Sequence, residues 1–370
     1  MNTSQTILNE DQARDLSLQI KAEGKRLGFQ QIGVTDTDLS RHIPAYQAWL
    51  ENGYHANLDY MEKHGSKRWQ ADELIPGTLR VISVRMDYMS DPEPPITTLN
   101  QSDKAYISRY SLGRDYHKLI RSRLKKLIDF IEERAQAFDF RAFVDSAPVL
   151  ERAFAQKAGL GWFGKNTMLI NRSAGSWFFL GEIYTDLPLP IDPPYDQEHC
   201  GRCTACLDIC PTQAFKGPYI LDSKRCISYL TIELKGSIPL ELRPKMGNRI
   251  FGCDDCQLVC PWNRFSEPTQ EEDFSPRHQL NTATLIELFS WDEATFLNRT
   301  EGSAIRRAGY ESWLRNIAIA MGNAQYSEQI MHSLQTRLHH ESAIIREHVE
   351  WAIEQLNAKR LPVTQRPDSD

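Results

Sequence analysis

Apolar residues recur along this chain with two periods. Between residues 11 and 27, Leu16, Ile20 and Leu27 fall near helical spacing, which predicts an amphipathic helix. The stretch Asp115–Gln136 carries Leu119, Ile120, Leu124, Leu127, Ile128 and Ile131 on one stripe and predicts another. Short apolar runs predict strands at Phe29–Val34, Arg80–Met86, Phe140–Val144, Thr167–Ile170 and Ser176–Thr185. Strands alternating with helices predict a mixed α/β or α+β domain over residues 1–187. Proline-rich Asp91–Pro95 reads as a loop excursion, and Asp186–His199 as a linker. Acidic Ser266–Pro276 reads as a second linker. From about Leu280 to Asn357 the pattern is helical again. Trp313–Ala324 and Glu341–Leu356 look like paired helices of the helical-repeat kind. A separate helical pattern after an acidic linker suggests a unit that can be removed without disturbing the rest. The closing RPDSD reads as a frayed end.

The chain has 370 residues, enough for two or three domains. Hydrophobic residues make up 41% and charged residues 25%, as in ordinary globular proteins. No apolar run approaches the roughly 18 residues of a membrane span. The polar, acidic N-terminus lacks the basic start and apolar core of a secretory signal. The expected compartment is the cytoplasm, where clustered cysteines argue for metal rather than disulfides. A net charge of −6 argues against a protein that coats nucleic acid. Local basic clusters remain at Lys63–Arg68, Arg121–Lys126 and Arg306–Arg307, each of which reads first as a solvated surface.

All eight cysteines lie between Cys200 and Cys260. Cys200, Cys203, Cys206 and Cys210, followed by Pro211, have the bacterial ferredoxin spacing for a [4Fe–4S] cluster. Cys253, Cys256 and Cys260, followed by Pro261, repeat its end, with Cys226 standing upstream in place of a first cysteine. In two-cluster proteins the fourth cysteine of such a run ligates the other cluster. That assigns Cys200, Cys203, Cys206 and Cys260 to one cluster, and Cys210, Cys226, Cys253 and Cys256 to the other. Two structural zinc sites are the alternative. They usually pair two C-x2-C knuckles, which the triple run does not match. Two adjacent clusters form an electron wire, and a wire needs a terminus.

Asp145 follows the strand-like FRAFV and precedes a predicted helix with Pro148 in its first turn and Gly159 just past its end. The end of a strand is a common place for a functional group. The alternative is a helix cap made by Asp145 or Ser146.

The segments VDSAPVLERAFAQKAGLGWFGKNTMLI, CGRCTACLDICPTQAF, CISYLTIELKG and MGNRIFGCDDCQLVCPWN resemble, in that order, the epoxyqueuosine reductase (QueG) family. The resemblance implies a cobalamin enzyme that reduces epoxyqueuosine to queuosine at the tRNA wobble position. It also implies an α+β architecture: a mixed α/β cobalamin-binding domain (1–187), a ferredoxin-like domain with two [4Fe–4S] clusters (188–265), and a C-terminal helical-repeat, HEAT-like domain (280–358) that docks tRNA. The family's proton donor falls on Asp145. Its cobalamin contacts fall on Arg68, Asp145, Leu169, Ser228, Cys253 and Asp254, and Lys235 falls on a tRNA-contacting position. The remaining implied partners are an unidentified electron donor and no membrane, with the chain a monomer.

The residues also permit other readings. Asp115 and His117 match part of the Asp-x-His-x-x-Gly cobalamin-ligating pattern, but Ile120 replaces its glycine, so His117 reads as a helix residue and not a cobalt ligand. Trp162 and Phe163 are candidates for an apolar wall beside Asp145, and otherwise read as core. Arg306, Arg307 and Arg315 are candidate contacts to an RNA stem. Competing functions are a corrinoid reductive dehalogenase, a non-catalytic two-cluster electron-transfer protein, and a zinc-stabilised RNA-binding module.

Overall fold

The computed structural model describes residues 8–90, 95–135 and 138–360. The predicted excursion at Asp91–Pro95, apart from Pro95, and the predicted frayed end lie outside the described residues. Helix α1 (Glu10–Arg26) starts where Asn9 and Gln12 cap each other's backbone N–H reciprocally. It leads into β1 (Gln31–Thr35), and β2 (Arg80–Asp87) follows after a run of short helical turns. Helix α2 (Tyr116–Glu132) opens on Asp115, whose side chain accepts from the His117 N–H. Then come β3 (Phe140–Phe143), α3 (Glu151–Lys157) and β4 (Phe178–Thr185).

The four strands form one sheet in the order β1-β2-β4-β3, and every pairing is antiparallel. Of the two expected classes the domain is therefore α+β. Strand alternation sends Val34, Ile82, Val84 and Ile183 to the face covered by Ile20 of α1 and by Ile120, Leu124 and Leu127 of α2. Val81 and Tyr184 point the other way, against Phe154 of α3. The end of α3 lies directly on β1. A Cβ on Gly33 would stand 1.9 Å from the Ala158 carbonyl oxygen, so only glycine permits that approach. The predicted strand at Thr167–Ile170 is shorter than expected: Leu169–Ile170 pairs with Trp162–Phe163 as a small hairpin.

The two predicted linkers are packed straps rather than spacers. Leu187 and Leu189 are buried in the sheet domain's core, and the Asp192 carboxylate accepts from the Val34 N–H. Phe274 is buried in the same core, and Glu271 pairs with Arg123 of α2.

The tail contains α4 (Tyr310–Asn323) and α5 (Ala343–Arg360), with shorter helices before and between them. It does not stand apart. Trp313, Leu314 and Ile317 of α4 share one apolar core with Ile227, Leu230, Ile250 and Phe251 of the cysteine region. Arg315 is fully buried, so it is not available to an RNA stem. It donates to the carbonyls of Leu230, Leu234 and Gly236, each at 2.7 Å. Asn316 donates to Thr231 and Ile250. Among the described residues no helix is long and apolar enough to cross a membrane.

Candidate active site and cluster centre

Among the described residues, the thiols that raise one another come mostly from the same expected set. Burial, then the neighbouring thiols of Cys200, Cys260 and Cys203, push the Cys206 thiol up to about 11. Cys256 is raised by burial and by its neighbours Cys226, Asp254, Cys206 and Cys210. Cys253 is raised by burial, with Asp255 and Cys226 beside it. The two sets adjoin, since Cys206 of the first is felt by Cys256 of the second. Iron, when bound, is the positive charge that would hold such cysteines as thiolates. Backbone amides add to the fit. Ala214 N–H points at Cys210 Sγ at 3.3 Å, and the amides of Ser228 and Tyr229 favour the Cys226 thiolate. A single π-helical turn, Tyr229–Glu233, directly follows Cys226 and Ser228.

Asp145 stands two residues beyond β3 with φ of 51°, in the left-handed region that few non-glycine residues adopt. Neither it nor Ser146 caps the next helix. That helix begins only at Glu151, after Pro148, and its N-cap Leu150 makes no side-chain bond. Gly159 lies just past the helix end, as expected. Asp145 Oδ2 accepts from Tyr116 Oη at 2.7 Å and lies 2.9 Å from His117 Nε2. Its N–H donates to Glu151. The side chain is still 55% exposed, so one side faces open space.

His117, by contrast, is buried, with a side chain 6% exposed. Its Nδ1 lies 2.7 Å from Asp115 Oδ1. Arg307 reaches in from the tail, with Nη1 3.1 Å from His117 Nε2 and Nη2 2.9 Å from both Nδ1 and Asp115 Oδ2. Tyr116 stacks on Phe179 at 3.9 Å, which makes this ring pair the apolar wall of the site. Trp162 does not serve there. It is fully buried between His199 and Trp262, and Phe163 packs on His42.

The charges form one network. Burial pushes the Asp145 carboxyl up, but its bonds to His117 and Tyr116 outweigh this and hold it below the ordinary range. Burial lowers His117, but Asp115 and Asp145 outweigh that and raise it. Behind Asp145, burial and then the Asp145 charge push Glu151 up to about 7. Glu182, fully buried in β4 beside Glu151, is raised much further by burial and that neighbour. Tyr60 and Glu233 stand near enough to Asp145 for its charge to act on both. Burial, then Glu233 and Asp145, push Tyr60 up to about 12.

The other sequence candidates fall at varied distances from this cleft. Arg68 is buried beside Tyr60, donating to its carbonyl, and its Nε has no partner among the described residues. Leu169 is buried in the small hairpin. Ser228 sits by Cys226, and Cys253 Sγ lies 2.8 Å from Asp255. Asp254 is buried, and its oxygens already accept from Tyr106, Ser108 and the Arg109 N–H. Lys235 caps the turn that carries Arg307, donating to the carbonyls of Ile232, Arg307 and Ala308. Sequence reasoning passed over Tyr116, read His117 as a helix residue, and offered Arg307 only as a contact to an RNA stem. The signal was Tyr-His in the first turn of a helix whose apolar stripe begins only at Leu119.

Two family models match the chain: epoxyqueuosine reductase QueG, DUF1730, over residues 68–146, and a 4Fe-4S double cluster binding domain over residues 199–263. An epoxyqueuosine reductase of Pseudomonas aeruginosa is 61% identical over 93% of this chain and 95% of its own. That of Escherichia coli K12 is 57% identical over 93% and 90%. A crystal structure of an epoxyqueuosine reductase with an epoxyqueuosine-modified tRNA-Tyr stem loop superposes with a TM-score of 0.77, at 26% identity over 93% and 99%. A Bacillus subtilis reductase structure, with its catalytic aspartate loop swung out of the active site, gives 0.83 at 28% identity over 92% and 90%.

Proposed function

Since the chain belongs to the epoxyqueuosine reductase family, we propose that it reduces the epoxide of epoxyqueuosine in a tRNA anticodon loop to the alkene of queuosine, with Asp145 delivering a proton to the epoxide oxygen. Converting an epoxide to an alkene and water takes two electrons and two protons. The two [4Fe–4S] clusters, each a one-electron carrier, supply the electrons stepwise. Cobalamin, when bound at the cleft, supplies the reducing metal that acts on the carbon–oxygen bond. Arg68, with its unpartnered Nε, and the backbone around Leu169, Ser228, Cys253 and Asp254 are the groups that would hold it. The side chain of Asp254 is already spent on three protein donors, so its part in holding the cofactor would be structural.

One observation carries the role of Asp145. One carboxylate oxygen is fixed by Tyr116 and His117 while the rest of the side chain faces the cleft. Negative charge develops on the epoxide oxygen as its bond to carbon breaks, and a positioned acid lowers that barrier. An anticodon base splayed from its loop is the form in which such a cleft can take it. Lys235 and Arg307 occupy adjoining segments, held together by Lys235, where a phosphate of the loop would meet them.

The test is single-turnover conversion by pre-reduced wild type and Asp145→Asn. Asn keeps the shape of Asp but cannot give a proton. The rate is expected to fall by about two to four orders of magnitude, with cluster spectra and tRNA affinity retained. A near wild-type rate would remove Asp145 from the reaction.

A further inference from the structure

We propose that His117 is the proton store that loads Asp145 for each turnover, held for that purpose between Asp115 and Arg307. The inference rests on the reading of Asp145 as the group that protonates the epoxide oxygen.

The problem it solves is visible in the site. A lone aspartic acid with an ordinary pKa near 4 is protonated about once in a thousand molecules at pH 7. Here its bonds to His117 and Tyr116 hold the Asp145 carboxyl lower still. Asp145 is therefore an unloaded acid while the cleft is open to water. Its bonded neighbour is a group that does carry a proton near neutrality. His117 Nε2 lies 2.9 Å from Asp145 Oδ2, and Nδ1 lies 2.7 Å from Asp115 Oδ1. A carboxylate on each ring nitrogen matches the doubly protonated imidazolium, whose two N–H groups both donate. The ring is buried, so it gains or loses that proton mainly through these partners.

The transfer is driven by closure. When substrate and cofactor cover the cleft, the exposed side of Asp145 loses water. An ion pair moved to a lower dielectric is destabilised relative to its neutral form. The Nε2–H bond breaks and an Oδ2–H bond forms, leaving neutral His117 and a carboxylic acid. The carboxyl then turns about its Cβ–Cγ bond. Its O–H breaks as a new O–H forms on the epoxide oxygen, and Asp145 is a carboxylate again. No electrons leave either residue, since the reduction is supplied through the clusters. Solvent returns a proton to His117, and a second passage along the same two residues gives the departing hydroxyl the proton it needs to leave as water.

All the charged groups around the ring have a place in this scheme. Asp115 and Asp145 favour the imidazolium, whereas Arg307, across both ring nitrogens, opposes it and eases release. Tyr116 donates to the same Asp145 oxygen, and Glu151 and Glu182 lie behind it. Glu233 lies on the far side, near both Asp145 and Arg307.

The experiment is single-turnover kinetics against pH with the pre-reduced, cobalamin-loaded enzyme and epoxyqueuosine tRNA. The wild-type rate should fall on the alkaline side as His117 loses its proton. His117→Gln can still donate a hydrogen bond to Asp145 but stores no proton. Its rate should drop roughly a hundredfold, lose the alkaline limb, and rise in proportion to added imidazolium buffer. A Gln variant that keeps the wild-type rate, or falls but keeps the limb and ignores buffer, would overturn the inference and leave His117 as a support. If that variant loses its clusters, Asp115→Asn decides. Removing this carboxylate should move the alkaline limb to lower pH by about one unit, and an unmoved limb would overturn the store. Asp145→Asn in parallel separates the two ideas. Should it retain the wild-type rate, the donor reading fails. Should it collapse while His117→Gln is normal, only the store fails.

Discussion

At the scale of single residues, the site is a chain of three side chains, Asp115, His117 and Asp145, with Arg307 laid across it. Its electrostatics make a stability prediction. Burial pushes Asp115 up, but His117 and Arg307 outweigh this and hold it at about 2. A carboxylate with a depressed folded pKa stabilises the protein above its unfolded pKa, and the effect is lost as pH falls toward the folded value. Asp115→Asn should therefore cost roughly 1–2 kcal/mol at neutral pH, with the gap to wild type closing between about pH 4 and pH 2. Thermal melts across that range check it, and a gap independent of pH would mean that Asp115 acts only as a helix cap. His117 has the opposite sign. Raised when folded, its contribution is complete below the unfolded pKa near 6.5 and fades as pH rises through the folded value. The cysteines were legible in the sequence because ligating a cluster demands fixed local spacing. The set around His117 was not, because Arg307 lies 190 residues further along the chain. Only the fold brings it there.

At the scale of elements, periodicity located both long helices of the sheet domain and its four strands, because each packs an apolar face on the core, only half-buried in the case of β3. It could not give the antiparallel order, which depends on how the strands connect in space. It also misjudged the connections. A proline-rich or acidic composition says that a segment lacks regular structure, not that it lies free of the core, and Leu189 and Phe274 are buried within it. Helix α4 shows the same limit. Its arginine read as a contact to an RNA stem, yet Arg315 clamps three carbonyls around the π-helical turn after Cys226. Arg315→Ala would leave the buried Leu230 carbonyl, and the part-buried carbonyls of Leu234 and Gly236, without this donor. At about 1–3 kcal/mol for each unsatisfied group, it should lower the melting temperature sharply. The cluster held by Cys210, Cys226, Cys253 and Cys256 should be depleted first, read as iron content and visible absorbance. Retention of both clusters at wild-type stability would show that α4 does not brace this centre.

At the scale of the whole molecule, the proposed reaction would draw its acid from the sheet domain and its electrons from the cysteine region, and the tail packs against the latter. The shared core of α4 with Ile227, Leu230 and Phe251 predicts that removing residues from 280 onward destroys the cluster region rather than merely weakening tRNA binding. Proteolysis and iron content of the truncated chain check this, and a truncated chain with intact clusters would contradict it. Intact protein reconstituted anaerobically should hold about eight irons; zinc in their place would end the electron-wire account. The family match over 93% of the chain makes one reaction the centre of the account. The most direct measurement is nucleoside analysis of epoxyqueuosine tRNA after incubation with the reduced, cobalamin-loaded protein. Epoxyqueuosine should disappear and queuosine appear in equal amount, only when both cofactors are present. Unchanged epoxyqueuosine, with both clusters reduced and cobalamin bound, would contradict it.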